Sequence, residues 1–413
     1  MTNAEQQYYD VLIVGAGHGG AQAAIQLRQM GFGGSIAMIG DEPELPYERP
    51  PLSKEYLAGD KPFDRMLVRP EAFWRERDIA LLAASRVTRV DPAAKSVATT
   101  GHGTIGYDRL IWATGGQARV LPCPGADDRA VFAIRKKQDV DAIHAALTDA
   151  TRVVVIGGGY IGLEAAGGLR KLGKSVVLVE MADRLLSRVA GSGLSEFYAA
   201  EHRRQGVELR FGTSVEKIER HNDDLICTLT DGDTLACDMV IVGIGIVPEV
   251  GPLIAAGATG GNGIDVDRAC RTSLPDMYAL GDCASHANVW ADGEQLRVES
   301  VQNAHDMAKV VAQDVMGEDA VYDALPWFWS NQYDLRLQTV GLATGHDEEI
   351  VRGDPATRSF SVIYRKNGRV VALDCVNRTR DYVQGRKLIE ARAEVDAAQL
   401  ADSDTPLKEM WPS

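Results

Sequence analysis

The sequence has few cysteines and no arrangement of them that is typical of a metal or redox centre. Its 413 residues include six cysteines, and none forms a CxxC or CxxxxC pair. Zinc sites and dithiol redox centres commonly use such pairs, so neither is indicated. His18, His286 and His305 show no spacing typical of metal ligands. We therefore expect no metal site, and we expect the cysteines, Cys283 included, to be small buried side chains in a reducing compartment.

Long hydrophobic runs are also missing. The longest candidate, from Met239 to Val247, falls far short of the roughly 20 residues that a membrane-spanning helix needs. The first residues carry neither the basic start nor the apolar core of a secretion signal. The sequence therefore predicts a cytoplasmic protein without a membrane segment.

An excess of positive charge is absent too. The formal net charge is −14, which argues against nonspecific binding to nucleic acid or to an anionic membrane, because both need a basic surface. Hydrophobic residues make up 45% and charged residues 25% of the chain, which is ordinary for a globular protein. The length leaves room for two or three domains.

The most informative pattern that is present is a pair of glycine fingerprints. Gly15 to Gly20 reads GAGHGG, and Gly157 to Gly162 reads GGGYIG. Each follows an apolar run typical of a buried parallel strand, Val11 to Val14 and Val153 to Ile156, and each opens a helical pattern. A strand, a glycine turn and a helix in this order bind dinucleotides, so the chain is predicted to hold two of them.

Each glycine has a physical role in such a motif. The first allows a tight turn, the second lets the backbone approach a pyrophosphate, and the third lets the helix pack closely on the strand. The N terminus of the helix offers N–H donors and a positive dipole to the phosphates. The glycines with these predicted roles are Gly15, Gly17 and Gly20 in the first motif and Gly157, Gly159 and Gly162 in the second.

An acidic residue follows each motif at the end of a second predicted strand. These residues, Asp41 and Glu180, can accept hydrogen bonds from ribose hydroxyls. A carboxylate at Glu180 suits a ribose 2′-hydroxyl and repels a 2′-phosphate, which favours NADH over NADPH. Arg184 and Arg188 lie nearby and keep the opposite preference open. The alternative, two glycine-rich structural turns, would make both acids a coincidence.

Later segments predict how the chain is divided. Met239 to Gly245 is a predicted strand that ends the second dinucleotide-binding unit, and Asp276 to Asp282 is a strand and loop that return to the first. From Leu325 the segments become short and β-like, with a hairpin signal at Asn367-Gly368. The predicted fold class is α/β, with two Rossmann-like dinucleotide-binding domains and a C-terminal α+β domain. The predicted boundaries are 1–117 and 246–324 for the first domain, 118–245 for the second and 325–413 for the C-terminal domain.

Four further motifs complete a recognisable set. They are Arg49-Pro-Pro-Leu-Ser-Lys54, Ala113-Thr-Gly115, Ala279-Leu-Gly-Asp282 and Pro326-Trp-Phe-Trp329. Together with the fingerprints they resemble the oxygenase-coupled, NADH-dependent ferredoxin reductases of the putidaredoxin reductase type. These are FAD-dependent pyridine nucleotide oxidoreductases of the glutathione-reductase-like class. The resemblance covers nearly the whole chain, and the set is specific although no single motif is.

The resemblance implies FAD at the first fingerprint and NADH at the second. Electrons would pass from NADH through FAD to a 2Fe-2S ferredoxin, which would supply an oxygenase. The residues that the resemblance places beside FAD are Gly15, Gly17, Gly19, Gly20, Asp41, Arg49, Lys54, Val87, Ala113, Arg135, Asp282, Val301 and Trp329. Those that it places beside the nicotinamide dinucleotide are Gly157, Gly159, Tyr160, Ile161, Gly162, Glu180 and Gly245.

Lys54 and Glu164 are the predicted catalytic residues. A fixed ammonium at Lys54 could stabilise the negative charge that hydride transfer leaves on a flavin. Glu164 lies about two helical turns into the helix that the second fingerprint opens, where it could pair with Lys54 and hold it charged. The alternatives are a solvated surface lysine and an acid on the surface of a helix.

Several aromatic and glycine positions allow two interpretations. Tyr160 could cover the flavin until nicotinamide displaces it, or it could simply pack. Gly243-Ile244-Gly245 offers close backbone approach for a carboxamide, or it is a tight strand end. Trp327, Phe328 and Trp329 could be ordinary core, but their position favours a place beside the flavin for Trp329.

An acidic reductase needs a local basic face to bind an acidic ferredoxin. The candidates for the basic face are Arg297, Lys309, Arg336, Arg380, Arg386 and Lys387.

The alternatives to an NADH:ferredoxin reductase are a reductase of rubredoxin or of a small-molecule acceptor, and a flavin-binding signalling protein like apoptosis-inducing factor. An NADH oxidase, peroxidase or disulfide reductase generally needs a redox cysteine beside the flavin, and the segment from Arg49 to Lys54 has none.

Overall fold

The computed structural model describes residues 7–411. Its internal contacts divide the chain into two compact units. The first unit contains residues 7–49, 63–117 and 247–326, and the second contains residues 50–62, 118–246 and 327–411.

The described residues contain strands and helices throughout. The strands are β1 (Gln7–Val14), β2 (Ile36–Ile39), β3 (Ile79–Leu82), β4 (Val87–Asp91), β5 (Ser96–Thr99), β6 (Thr104–Trp112), β7 (Gly116–Ala118), β8 (Val131–Ala133), β9 (Arg152–Ile156), β10 (Ser175–Glu180), β11 (Val207–Phe211), β12 (Val215–His221), β13 (Asp224–Leu229), β14 (Thr234–Cys237), β15 (Met239–Val242), β16 (Ile246–Pro248), β17 (Gly260–Gly261), β18 (Gly263–Val266), β19 (Met277–Ala279), β20 (Ala284–Ala287), β21 (Gln295–Leu296), β22 (Trp327–Gln332), β23 (Leu335–Gly341), β24 (Glu348–Asp354), β25 (Ser359–Lys366) and β26 (Arg369–Val376). The helices are α1 (His18–Gln29), α2 (Glu71–Glu76), α3 (Lys137–Leu147), α4 (Tyr160–Lys171), α5 (Ser192–Arg204), α6 (Gly251–Ala255), α7 (Val301–Val315), α8 (Thr379–Glu390) and α9 (Ala397–Ala401).

The first unit is built on a seven-stranded sheet with the order β3-β2-β1-β6-β5-β4, in which β19 also pairs with β6. Strands β3, β2, β1, β6 and β19 are parallel to one another. Val14 pairs with Ile39 on one side and with Trp112 on the other, and Trp112 also pairs with Ala279. The loops that follow β1, β2, β6 and β19 therefore begin at one edge of the sheet, which is where open α/β sheets bind ligands.

The second unit contains a five-stranded parallel sheet with the order β11-β10-β9-β15-β8. Ile156 pairs with Val179 and Val242, so the second fingerprint, Glu180 and Gly243 again begin at one edge. The same unit holds a three-stranded antiparallel sheet, β12-β13-β14. It also holds a five-stranded antiparallel sheet, β22-β23-β26-β25-β24, which is accompanied by α8 and α9.

This architecture confirms the predicted fold class, with two Rossmann-like sheets and a C-terminal α+β region. The predicted hairpin is also confirmed, because Lys366 pairs with Arg369 and the two-residue loop between them has positive φ at Asn367 (53°) and Gly368 (79°). The domain boundaries stay predictions. The contacts place the C-terminal sheet in the same unit as the second Rossmann-like sheet, and they add residues 50–62 to that unit.

Among the helices of residues 7–411, none combines the length and the apolar character that crossing a bilayer requires.

Candidate functional site

The first fingerprint is shaped by packing at three of its glycines. Gly15 has φ of +112°, and a Cβ atom there would lie 2.2 Å from the carbonyl oxygen of Ala113. A Cβ at Gly20 would lie 1.9 Å from the carbonyl oxygen of Gly15, and one at Gly19 would lie 2.4 Å from Cδ1 of Leu280. Gly15 and Gly20 accept only glycine because backbone atoms of the strand, the loop and the helix meet there, whereas at Gly19 the terminal methyl of Leu280 would have to shift.

The middle glycine of each fingerprint behaves differently. A Cβ at Gly17 would find its nearest heavy atom, Nε of Arg49, at 3.8 Å, and a Cβ at Gly159 would have no heavy atom of the described chain within 4 Å. Both residues are the N-caps of their helices, α1 and α4, and neither helix has an acidic residue in its first turn. Packing within each unit thus does not explain these two glycines, whereas close approach by a dinucleotide pyrophosphate does, so both loops fit such a group.

The second fingerprint repeats the geometry of the first. Gly157 has φ of +109°, and its Cβ would lie 2.4 Å from the carbonyl oxygen of Gly243. A Cβ at Gly162 would lie 1.9 Å from the carbonyl oxygen of Gly157. Gly243 thereby has a packing role at the strand end. Gly245 has φ of +96° and an open Cα, with Nε of Arg119 at 3.9 Å from the Cβ position.

Glu180 is held at the second glycine loop by backbone groups. Its Oε2 accepts a hydrogen bond from the N–H of Gly158 (2.5 Å), and its Oε1 accepts one from the N–H of Ala182 (2.8 Å). The guanidinium of Arg184 donates to Oγ of Ser195 (2.6 Å) and to the carbonyl oxygen of Ala190 (2.8 Å). Arg184 is therefore engaged within the protein, which removes one of the two arginines that could have favoured a 2′-phosphate.

Asp41 lies in a charged cluster that the sequence did not indicate. Its Oδ2 is 3.9 Å from Nη2 of Arg86, which is also 3.2 Å from Oε2 of Glu249. The backbone carbonyl of Glu249 accepts hydrogen bonds from Thr114 Oγ1 (2.7 Å) and Trp112 Nε1 (2.9 Å). The loop after β6 is thereby fixed to the segment after β16, and no local sequence signal marks Arg86 or Glu249.

Arg49 lies beside the first fingerprint, as its distance from the Cβ position of Gly17 shows. Its Nη2 pairs with Oε1 of Glu42 at 2.6 Å, and the other oxygen of Glu42 accepts a hydrogen bond from the hydroxyl of Tyr47 (2.5 Å). Glu42 is a residue that sequence reasoning missed, and it orients the arginine.

The other predicted FAD contacts occupy defined places, and their roles stay predictions. Val87 and Ala113 are buried, at 5% and 8% exposure. Asp282 lies in a short 3₁₀ turn, where its carbonyl oxygen accepts a hydrogen bond from Arg297. Val301 begins α7 in the first unit. In the second unit, Arg135 lies just before α3, where its N–H donates to Asp139, and Trp329 lies on β22.

One candidate for the basic face is wrong. The side chain of Arg297 is only 8% exposed, because its guanidinium donates to the carbonyl oxygen of Asp282 (2.6 Å) and pairs with Glu299 (2.7 Å). Arg386 and Lys387 both pair with Glu390, on their own helix. Lys387 is nevertheless exposed, as are the candidates Lys309, Arg336 and Arg380.

Lys54 and Glu164 form a buried ion pair in the second unit. Nζ of Lys54 lies 2.8 Å from Oε2 of Glu164, and the two side chains are 9% and 1% exposed. The hydroxyls of Ser53 and Ser330 donate to the two carboxylate oxygens, each at 2.6 Å. The structure thus excludes the surface alternatives for both residues, while their catalytic role stays a prediction.

Aromatic side chains gather around the start of α4. The ring of Tyr160 lies 4.6 Å from that of Phe328, centroid to centroid, and Trp329 lies 5.7 Å from Trp327. Ile161 is 41% exposed although it is a large hydrophobic residue in the middle of the fingerprint. Tyr160 therefore packs on β22, and its proposed movement stays a prediction, as do the nucleotide contacts of Tyr160 and Ile161.

The cysteines are thiols in the described chain. Cys283 is fully buried, its Sγ lies 3.2 Å from the carbonyl oxygen of Leu280, and burial raises its thiol pKa. Cys227 and Cys237 approach to 3.9 Å between sulfurs, a proximity that their spacing does not reveal. Residues 7–411 contain no group of histidine, cysteine and acidic side chains that could hold a metal ion.

Comparisons with known proteins find two family profiles that match this chain and a similar ferredoxin reductase subunit. A family profile described as pyridine nucleotide-disulphide oxidoreductase matches residues 9–308, and one described as reductase C-terminal matches residues 327–411. The chain is 58% identical over 405 residues to the 5,5'-dehydrodivanillate O-demethylase ferredoxin reductase subunit of a Sphingobium species, with 98% of each chain covered.

Solved structures give the same result. A ferredoxin reductase from Rhodopseudomonas palustris matches with a TM-score of 0.93 at 39% identity, covering 97% of this chain and 99% of that one. Putidaredoxin reductase, in a covalent complex with putidaredoxin, matches with a TM-score of 0.93 at 37% identity, covering 99% of this chain and 98% of that one.

Proposed function

Since this chain belongs to the pyridine nucleotide-disulphide oxidoreductase family, as a ferredoxin reductase of the putidaredoxin reductase type, we propose that it passes electrons from NADH through FAD to a 2Fe-2S ferredoxin. The ferredoxin would supply an oxygenase, and the reaction would take place in the cytoplasm. The observation that carries the proposal is the pair of glycine loops whose middle residues, Gly17 and Gly159, have room for a dinucleotide.

The first loop suits FAD and the second suits NADH. When bound, FAD supplies the chemistry of accepting an electron pair and releasing electrons one at a time. The chain's part is to bind and orient both groups. Gly17 and the N terminus of α1 receive one pyrophosphate, with Arg49 oriented beside it by Glu42. Gly159 and the N terminus of α4 receive the other.

Lys54 supplies a positive charge that cannot move far. Its ammonium is nearly excluded from water and is held by Glu164 (2.8 Å) and by the carbonyl oxygen of Pro50 (3.3 Å). A charge fixed in a site of low dielectric stabilises developing negative charge more than a mobile, hydrated one. Lys54 therefore favours electron transfer toward the flavin, and Glu164 holds the ammonium in place.

The preference for NADH follows from the groups around Glu180. Its carboxylate is fixed by two backbone N–H groups at the point where a ribose would bind, and Arg184 is engaged elsewhere. A 2′-phosphate would meet this negative charge, and of the two nearby arginines Arg188 alone is left to offset it.

Stopped-flow spectroscopy of the FAD-loaded protein tests the proposal. NADH should bleach the flavin rapidly, and a 2Fe-2S ferredoxin should reoxidise it at a rate that supports turnover. Failure with every 2Fe-2S ferredoxin, together with fast reduction of rubredoxin or a dye, would establish one of the alternative acceptors instead. Slow turnover with a long-lived charge-transfer complex would identify a signalling protein.

A further inference from the structure

The carboxylate of Glu164 makes one contact that leads away from Lys54. Its Oε2 is shared by the ammonium of Lys54 (2.8 Å) and the hydroxyl of Ser53 (2.6 Å). Its Oε1 accepts a hydrogen bond from Ser330 alone among the bonds found for that oxygen in residues 7–411 (2.6 Å). Ser330 is fully buried on β22, so water does not substitute for it easily.

Ser330 is the near end of a hydrogen-bond chain within the second unit. Nε2 of Gln332 donates to Oγ of Ser330 (3.2 Å). Oε1 of Gln332 lies 2.9 Å from Nε2 of His202, on α5. Nδ1 of His202 lies 2.9 Å from the hydroxyl oxygen of Tyr333.

The chemistry of these groups fixes the direction of the chain. Burial lowers the pKa of His202 to about 4, so at neutral pH its ring carries one N–H. The oxygen of Gln332 can only accept, so this N–H is on Nε2 of His202. Nδ1 is then an acceptor, and the hydroxyl of Tyr333 donates to it. Every donor in the chain therefore points along it toward Glu164.

Backbone strain marks the far end of the chain. Tyr333 occupies the two-residue turn between β22 and β23 with φ of +57°, in the left-handed region that bulky residues rarely adopt. Such conformations persist where surrounding contacts hold them, and they cluster at functional sites. The tyrosine ring lies 5.1 Å from the ring of His202, centroid to centroid, in addition to the hydrogen bond.

We propose that Tyr333, His202, Gln332 and Ser330 form a one-directional hydrogen-bond chain that orients the carboxylate of Glu164 on Lys54. Ser330 is thus a positioning residue for the ammonium. The catalytic consequence rests on the proposed function, because it requires Lys54 to act on the flavin. The direction of the chain does not.

Two buried phenols lie within reach of the charge of Glu164, and the buried carboxyl of Asp374 acts on the same two phenols. Tyr160, on the same helix, and Tyr198, on α5, feel the negative charge of Glu164. Burial first, and nearby carboxylates second, raise the pKa of both phenols, so both stay neutral at working pH. Neither phenol therefore competes with Lys54 as a charged partner of Glu164.

The tautomer of His202 tests the direction of the chain without any activity measurement. NMR of the ring nitrogens should show a proton on Nε2 and a lone pair on Nδ1, and the ring should stay neutral across neutral pH. A proton on Nδ1 would force Gln332 to turn its amide, and Ser330 would then donate to Gln332 rather than to Glu164. That result would overturn the proposal.

A substitution tests the effect on Lys54. Ser330→Ala removes the hydrogen bond to Oε1, so the carboxylate of Glu164 loses the contact that orients it on Lys54. We expect the rate constant for flavin reduction by NADH to fall by about tenfold, while the KM for NADH stays unchanged. Tyr333→Phe, at the far end, should lower the rate constant by less.

Ser361→Ala is the matched control. Ser361 is also fully buried, and its hydroxyl also donates to a carboxylate, that of Asp381 (3.0 Å). It should cost similar stability and leave the rate constant for flavin reduction as it is in the unmodified protein. Equal rate constants for Ser330→Ala and Ser361→Ala would overturn the proposal. If the unmodified protein did not reduce flavin with NADH, the proposed function would fail, while the NMR result would still decide the direction of the chain.

Discussion

At the scale of single residues, the choice between NADH and NADPH depends on a carboxylate that is held by two backbone groups. Glu180→Gln keeps the size of the side chain but removes the charge and sets an amide NH₂ near the N–H of Gly158 or Ala182. We expect the discrimination against NADPH to fall by about tenfold, with a higher KM for NADH. The ratio of kcat/KM values for the two coenzymes measures it.

The matched control for this change is Glu208→Gln. Glu208 lies on the neighbouring strand β11, is half exposed, and pairs with Arg210 at 2.6 Å. The substitution removes the same charge from the same sheet, so any general electrostatic effect appears in both variants. An unaltered coenzyme ratio in Glu180→Gln, or an equal change in both variants, would contradict the role of Glu180.

Asp374 is a second residue whose ionisation matters, because burial raises its pKa to about 7. The folded state then binds a proton that the unfolded state releases near its usual pKa of about 4. The free energy of unfolding therefore falls as pH rises from about 4 to about 7. Asp374→Asn removes this dependence and keeps an acceptor for the hydroxyl of Tyr364. We expect it to stabilise the protein near pH 8 by roughly 1 to 3 kcal/mol.

Urea unfolding at several pH values checks this expectation. The contrasting variant is Asp381→Asn, because Asp381 pairs with the buried guanidinium of Arg352 (3.3 Å) and with Arg378 (3.1 Å). Neutralising it leaves a buried cation uncompensated, so this variant should be destabilised by about 3 kcal/mol. Destabilisation of Asp374→Asn near pH 8 would show that the carboxylate contributes to stability in its charged form.

At the scale of elements, alanine substitutions at different glycines of one fingerprint should have different effects on folding and on ligand binding. Gly17 and Gly159 have backbone angles that alanine adopts, and an added Cβ meets nothing closer than 3.8 Å. Alanine should therefore leave the fold intact and obstruct the ligand alone. We expect Gly17→Ala to weaken FAD binding by more than tenfold, and Gly159→Ala to retain FAD and raise the KM for NADH by a similar factor.

Two further alanine substitutions serve as controls for Gly17→Ala. Gly33→Ala places a methyl group in equally open space away from the fingerprint, so it should bind FAD normally. Gly20→Ala places one 1.9 Å from the carbonyl oxygen of Gly15 and should not fold. FAD titration and thermal unfolding separate the outcomes. Normal FAD affinity in Gly17→Ala would show that no pyrophosphate approaches this backbone.

Several elements of the fold could be predicted from the sequence. Both fingerprints, their strands and the Asn367-Gly368 hairpin are local patterns, in which a few neighbouring residues determine the backbone, and all are found in the structure. The pairing of Lys54 with Glu164 was predictable only from the family resemblance, which covers the motif that ends at Lys54 and the helix that the second fingerprint opens. Neither composition nor periodicity joins two residues so far apart in the chain.

Other site features could not be predicted because they depend on tertiary contacts. Arg297 was expected on the surface, but the carbonyl of Asp282 and the carboxylate of Glu299 bury its guanidinium. The chain from Tyr333 to Glu164 passes through His202, which has no motif and lies on a different helix. Such contacts follow from how strands and helices pack rather than from any neighbouring residues.

At the scale of the whole molecule, net charge and partner charge conflict. The chain carries a formal charge of −14, and ferredoxins are commonly acidic, so long-range repulsion must be offset near the contact. The exposed candidates that remain are Lys309 in the first unit and Arg336 and Arg380 in the C-terminal part of the second unit. Arg386 and Lys387 are weaker, since Glu390 already offsets their charge.

Reversing the charge of one arginine separates the effect of a local basic face on ferredoxin binding from the effect of the net charge. We expect Arg336→Glu and Arg380→Glu to raise the KM for a 2Fe-2S ferredoxin by about three- to tenfold at low ionic strength, with less effect at high salt. Flavin reduction by NADH should not change.

Arg89→Glu is the control, because Arg89 is 74% exposed and lies on β4 of the first unit. All three variants change the net charge by the same amount, so repulsion by the whole molecule rises equally in each. A KM that rises equally in all three would mean that the overall charge governs the encounter, and an unchanged KM in the first two would place the docking face elsewhere.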